Sequence, residues 1–404
     1  MFDLTHNLLQ RQIAELDPTS RIIVVHPGYL AQRRVLQQFW NTSPCIYLRV
    51  EIDSATQIQL QSSLINLLDG LTLEAALDQC KLLIVDESDK VIEKELEAFL
   101  TNILSKTHGR VLLFTRQLPY FVINNGSLGR ITHIIPQDPN LLLPNYNAIS
   151  HGKSLLEVHT LGYGRVLLNG KVIDNWDGDL PRQLFFYLID RGMTTRAQIF
   201  DTFWPTLSTR EATNVFHVTK RKISEVLGVD LTQYSSGFYR VSPDIELSYD
   251  VALFHDMLQQ SAVAPLKESR DLLERAIWLY RGSFLGQIDA NSYPWIQERR
   301  QHLMQSYGDA LIGLAKLVEQ SGDTERALGL YIRALATNRQ REDLAGTIMG
   351  LYRDFGRYDD ALKTYDVLAA EIMNTLGISP AQWLQDMAEN IRNQEISTLQ
   401  PVRR

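Results

Sequence analysis

REATNVFHVTKRKISEVL, residues 210–227, decides how this chain is read. Placed on a helix at about 100° per residue, Ala212, Val215, Phe216, Thr219, Ile223, Val226 and Leu227 share one face, which would anchor to a core. Opposite them Arg210, Asn214, His217 and Arg221 form a polar stripe spaced by four, three and four residues, with Lys220 and Lys222 on its flanks. Gly228 follows, the residue type that ends a helix in a left-handed turn at little cost. Arginine pairs two-pronged with guanine, an amide with adenine and ammonium with phosphate, so the stripe has the chemistry of major-groove reading. A solvated helix face is the competing reading, since Glu211 and Glu225 lie close by. The surroundings decide between them.

Those surroundings are locally basic in an acidic chain. Across 404 residues the formal net charge is −7, so the whole molecule is unsuited to coating nucleic acid, which needs clustered Lys and Arg. Between Arg182 and Lys222, however, Arg182, Arg191, Arg196, Arg210, Lys220, Arg221 and Lys222 face only Asp190, Asp201 and Glu211, a local excess of +4. Helical patterns at 181–191 and 196–203 precede the stripe. Before them, LLEVHTLGYGRVLLNGKVI (155–173) alternates as a β-meander with Asn169-Gly170 at a tight turn. After the stripe, YSSGFYRV (234–241) reads as a second small hairpin around Gly237.

Outward from this centre the pattern changes twice. Residues 21–137 alternate short apolar runs with amphipathic stretches, the signature of an α/β domain with a parallel sheet. Strands are expected at 21–26, 45–51, 81–86, 110–115 and 131–135, with helices at 30–40, 56–68, 72–79 and 91–105. PQDPNLLLPNYNAISHGKS is dense in turn residues and marks a linker, which leaves domains at 1–140, 155–250 and 251–393, a linker at 141–154 and a tail at 394–404. Beyond 251 nearly everything reads as helix. There GDTERALGLYIRALATN (322–338) and GRYDDALKTYDVLAAEI (356–372) repeat at a period of about 34 residues, that of tetratricopeptide-type helix pairs. Trp278, Tyr280, Trp295 and Tyr307 are expected to pack this helical region. The fold class is thus multidomain: α/β, then α+β, then all-α.

Other chemistry is thin. Cys45 and Cys80 cannot build a disulfide framework, and the nine histidines show no metal-binding spacing, so no metal and no cofactor is expected. Asp359-Asp360 and the pair Glu51 and Asp53 read as a helix start and a strand end. No stretch has the length of a membrane span and no leader pattern opens the chain, so the expected setting is the cytoplasm.

The order of motifs resembles a known family. EVHTLGYGRVLLNGKVI is similar to the opening strands of the winged helix-turn-helix in SARP-type activators, a domain like that of two-component response regulators. TRAQIFDTFWP resembles their positioning helix, FHVTKRKISEVLG their recognition helix and GFYRV their wing. AIWLYRGSFLG, PWIQERRQHL and the two helix pairs then resemble the bacterial transcriptional activator domain that follows in that family. The resemblance implies double-stranded DNA as ligand, RNA polymerase as partner, and a pair of copies on direct repeats. It assigns DNA contacts to Arg196, Arg210, Asn214, His217, Lys220, Arg221, Lys222 and Arg240. The sequence departs at Lys220, where the family has an apolar residue, and at Ser224 and Glu225, where it has basic ones.

The N-terminal region resembles the ATPase domain of STAND-type regulators. LLIVDESDKV carries Asp86 and Glu87 where a Walker B strand ends, and VLLFTRQLP carries Arg116 at a sensor position. The phosphate loop is degraded: after Gly28 the sequence runs GYLAQRRV, without the Lys that neutralises phosphate or the hydroxyl that holds magnesium. Gly28, Asp86, Glu87 and Arg116 therefore read as a vestigial nucleotide pocket without hydrolysis, and the chain as no enzyme. A pocket that still binds nucleotide and an unrelated Rossmann-like domain stay open, and each suits a sensor of a small molecule or nucleotide. Two further readings of the whole chain stand beside the regulator: a signalling nucleotide-binding protein with an accessory DNA module, and a repeat-based protein adaptor.

Overall fold

A computed structural model describes residues 16–27, 45–135 and 152–399, apart from 69, 81, 124–125 and 290–292. The expected helix at 30–40, Gly28 and most of the linker lie outside the described residues. By contacts, the residues up to Leu253 join Arg281–Trp295 in one unit, and Phe254–Tyr280 join the residues from Ile296 onward in another.

In the first unit five apolar runs form strands: β1 (Ile22–Val25), β2 (Ile46–Arg49), β3 (Leu82–Asp86), β4 (Arg110–Phe114) and β5 (Thr132–Ile135). All pair in parallel, in the order β2-β3-β4-β1-β5. The central strands are apolar almost throughout because helices cover the sheet. These are α1 (Gln57–Leu67), α2 (Leu73–Cys80), α3 (Glu93–Lys106) and the short α4 (Tyr120–Ile123). Thr56 and Gln59 close a capping box on α1, and Leu96, Phe99, Leu100 and Ile103 bury one face of α3 in the core. The chain leaves β1 toward β2 on one side and β4 toward β5 on the other. The carboxyl ends of β1 and β4 are therefore a topological switch point, the place where open α/β sheets form ligand crevices.

The next segment builds β6 (Ser154–His159), β7 (Arg165–Leu168) and β8 (Lys171–Val172). Asn169 and Gly170 turn between β7 and β8 with φ of 50° and 77°, the positive values the dipeptide was expected to supply. Three helices follow, α5 (Asp179–Arg191), α6 (Arg196–Phe203) and α7 (Thr209–Leu227). The hairpin of β10 (Thr232–Ser235) and β11 (Phe238–Val241) is the wing. Two pairings add to the expected elements: β9 (Met193–Thr195) extends the wing to three strands, and β12 (Ile245–Tyr249) pairs in parallel with β6. This is the architecture of a winged helix.

The meander packs directly on the switch point. Arg165 donates to the Pro27 carbonyl, Leu118 N donates to Gly170 O at 3.2 Å, and Gln117 and Lys171 form an antiparallel bridge. Leu155 of β6 belongs to the same buried cluster as the α/β core. Residues 281–295 also pack on this unit. Leu285 N reaches Thr160 O at 2.9 Å, and the Trp295 ring stands edge-on to Tyr187 at 5.3 Å. Trp295 was expected to pack the helical region; its neighbours Tyr187 and Phe284 place it in the winged-helix unit instead.

The helical region comprises α8 (Asp250–Val263), α9 (Leu266–Leu279), α10 (Pro294–Gln320), α11 (Thr324–Thr337), α12 (Glu342–Asp354), α13 (Tyr358–Leu376) and α14 (Gln382–Leu399). The two repeats are the pairs α11/α12 and α13/α14. Tyr280 stacks on Tyr307 at 4.2 Å, and Asp359-Asp360 open α13, as expected. α14 runs on to Leu399, into the residues assigned to a tail. Among the described residues no helix is long and apolar enough to cross a membrane.

Candidate nucleic-acid interface

α7 is set by local chemistry. Ser208 Oγ accepts from Glu211 N at 3.4 Å while the Glu211 carboxylate takes Ser208 N at 3.0 Å, a capping box that satisfies amides at the helix start. At the other end Gly228 adopts φ of 69° and its N–H bonds Ser224 O. Ala212, Phe216, Thr219, Ile223 and Leu227 are buried. Phe216 meets Phe200, Trp204 and Tyr239 at ring distances of 6.1, 6.4 and 5.0 Å, which ties α7 to α6 and the wing. Val215 and Val226 are half-buried at the margins of this face.

The opposite face is exposed as a stripe: Arg210, Asn214, His217 and Arg221. The side chains of Arg210, Asn214 and His217 make no hydrogen bond or ion pair among the described residues. Arg221 meets Glu225 at 3.3 Å, a solvent-exposed pair of the kind that contributes little and opens readily. Val218, 49% exposed, joins the stripe; the wheel gave no reason to single it out because its apolar type suggested only packing. From Arg210 to Arg221 the stripe rises roughly 16 Å, enough to cross a major groove about 12 Å wide.

The flanking cations have protein partners. Lys220 leans to the wing, its ammonium donating to Thr232 O at 3.2 Å and lying 5.8 Å from the Tyr239 ring centroid. This accounts for a lysine where an apolar residue was expected: the aliphatic stem covers the wing while the charge stays at the edge. Ser224, the second departure, bonds Asp230 at 2.8 Å beyond the helix end. Lys222 leans the other way, to Asp177 at 2.8 Å, just before α5. Arg196 lies over the Tyr234 ring at 5.9 Å, and Arg240 is exposed on β11. Two of the cations counted in the local excess sit elsewhere. Arg182 bonds Gly164 O at 3.2 Å, and Arg191 lies over Tyr187. The basic surface is narrower than the sequence count implied.

Asp86, Glu87 and Arg116, read as part of a nucleotide pocket, are each engaged by neighbouring side chains. Asp86 accepts from the Tyr47 hydroxyl at 2.7 Å; burial, with this carboxylate alongside, pushes that hydroxyl above its ordinary range. Glu87 takes Lys90 and Arg49, which hold its carboxyl below the usual range. Arg116 pairs with Asp89 at 2.8 Å rather than reaching Asp86 or Glu87.

Residues 249–392 match the family model for the bacterial transcriptional activator domain. The matched stretch begins where β12 ends and takes in the residues from α8 into α14. No curated protein matches the sequence. Among solved structures the chain is similar to EmbR of Mycobacterium tuberculosis, determined in complex with a low affinity phosphopeptide. The identity is 17%, over 60% of this chain and 66% of that one, with a TM-score of 0.48. It is also similar to a Signal Transduction ATPase with Numerous Domains from Pyrococcus horikoshii that has a tetratricopeptide repeat sensor. There the identity is 10%, over 98% of this chain and 68% of that one, with a TM-score of 0.20.

Proposed function

We propose that this chain is a sequence-specific, double-stranded-DNA-binding transcription regulator that lays α7 in the major groove. The observation that supports this reading is the exposed stripe of Arg210, Asn214, His217 and Arg221 on a helix whose other face is locked into a core. In it Asn214 and Arg221 read base edges, with Arg210 and His217 extending the contact. Lys220, Lys222, Arg196 and Arg240 border the stripe and fix register on phosphates. The activator domain recruits partners, RNA polymerase among them, so that the regulator activates. Two copies on direct repeats supply the affinity that a small basic surface in an acidic chain lacks. The α/β domain serves as a cytoplasmic sensor of a small molecule or nucleotide, without turnover, because Asp86, Glu87 and Arg116 are engaged by Tyr47, Arg49, Lys90 and Asp89.

Selection of bound duplexes from a random pool by the full chain tests this. An enriched motif repeated in one orientation is expected, and Arg221→Ala should bind it more weakly and relax it at one or two positions. If nothing is enriched and Arg221→Ala binds DNA as the parent does, the repeat-based adaptor takes the place of this reading. ATP turnover abolished by Asp86→Ala would establish a nucleotide-hydrolysing signalling protein instead.

A further inference from the structure

The junction between the α/β sheet and the meander holds a group of side chains that neither DNA reading nor the vestigial pocket uses. His26 follows directly on β1 at the switch point. Glu157 and His159 stand two residues apart on β6 and so point to the same side of that strand. His26 Nε2 lies 2.9 Å from Glu157 Oε2, and the two imidazole rings are 6.0 Å apart between centroids. One donor atom from each of the three residues lies within 4.8 Å of the other two. His26 and Glu157 are wholly buried and His159 is 6% exposed. Among the described residues His159 Nε2 has no hydrogen-bond partner. Leaving a buried polar atom unsatisfied is unfavourable, and protein interiors avoid it unless something else occupies the position.

We propose that His26, Glu157 and His159 bind one divalent transition-metal ion, of the zinc class, that bridges the α/β domain and the winged helix. Two imidazole nitrogens and one carboxylate oxygen are a donor set that suits zinc, which takes each at about 2.0–2.2 Å and leaves a fourth position for water or a small ligand. Donors around such an ion sit roughly 3.3–3.5 Å apart. The His26–Glu157 pair is already at 2.9 Å, and all three donors lie within 4.8 Å of one another. The guanidinium groups of Arg165 and Arg281 lie close enough to act on His159, and they oppose an added cation. Asp174 stands near Arg165 and Asp250 near Arg281, so the surroundings also carry carboxylates besides Glu157. The ion would join the end of β1, at the sheet's ligand crevice, to the first strand of the DNA-reading domain. Metal occupancy thus becomes a signal the regulator can report.

The test uses the full chain, stripped with a chelator and titrated with zinc chloride, read by calorimetry and by metal analysis after dialysis. One equivalent per chain is expected, with proton release and a higher melting temperature. His159→Phe should lower affinity at least about a hundredfold while melting without metal no lower than the parent, because the orphaned nitrogen is gone. Glu157→Gln, which keeps a hydrogen-bond partner for His26, should lower it at least about tenfold. Cobalt in place of zinc should give the absorption bands of a tetrahedral site in the parent and none in His159→Phe. Less than a tenth of an equivalent bound by the parent overturns the proposal. So does undiminished binding in both His159→Phe and Glu157→Gln, which would put the ion on other residues.

Discussion

The carboxyl edge of the α/β sheet and the outer face of α7 both concentrate charge, and they use it in opposite ways. At the sheet edge Asp86, Glu87, Asp89, Arg49, Lys90, Arg116 and Tyr47 are paired among themselves. On α7 the stripe from Arg210 to Arg221 is exposed, and among the described residues its one ion pair, Arg221 with Glu225, lies in solvent. Charge with an internal partner of the opposite sign has little left to offer a ligand. Charge held out on a rigid helix, with the helix's other face buried, is free to meet a partner of fixed shape. The comparison separates a region that has kept the form of a binding edge from one that has the groups to bind.

The largest test is to loosen the support of the stripe. Phe216→Ala removes a fully buried ring between α6 and the wing and should destabilise the first unit by about 3–5 kcal/mol, measured by urea unfolding. Asp250 sharpens the contrast as a charge buried rather than paired at the surface. It accepts from Leu161 N at 2.8 Å and Thr160 Oγ1 at 3.1 Å, and burial pushes its carboxyl up to about 6. A raised carboxyl binds its proton more tightly folded than unfolded. Its contribution is therefore complete below about pH 4 and is lost as pH rises through about 6. Unfolding measured from pH 4 to 7 should show the parent losing stability relative to Asp250→Asn, on the order of 3 kcal/mol in all.

Next in size, Asn214→Ala or Arg221→Ala should weaken binding to the selected duplex by about 1–3 kcal/mol and relax preference at one or two positions, read by competition binding. Arg240→Ala on the wing should weaken all sequences alike and flatten the dependence of log affinity on log salt by about one unit. Smallest of all, Arg116→Ala at the sheet edge should change stability by no more than about 1 kcal/mol, since the Arg116 side chain is 63% exposed. A large loss there would break the comparison, because it would make the paired edge a structural keystone.

Much of this was legible in the residues. The bounds of α6 and α7 follow from signals within a few positions: Thr195 with Gln198, Ser208 with Glu211, and Gly228. The meander turn at Asn169-Gly170 and the parallel strands of the α/β domain were equally local, set by backbone preference and by the run length of apolar residues. The partners of β9 and β12 were not legible, because MTT and IELSY carry no mark of which distant strand they will join. Nor was the orientation of Lys220 and Lys222. On the wheel they flank one stripe alike, and only the positions of Thr232 and Asp177 turn them to opposite sides.

The stripe on α7 is the property the sequence determined unaided, since helical periodicity alone puts Arg210, Asn214, His217 and Arg221 on one line. The meeting of His26 with Glu157 and His159 is the property only the tertiary structure decided. By spacing along the chain those histidines showed nothing, for a ligand set is legible in sequence only where most of its donors lie close together, and here one lies about 130 residues before the other two. His26 follows β1 and the other two lie on β6, and the packing of one domain's sheet edge against the other's first strand brings them into one buried group.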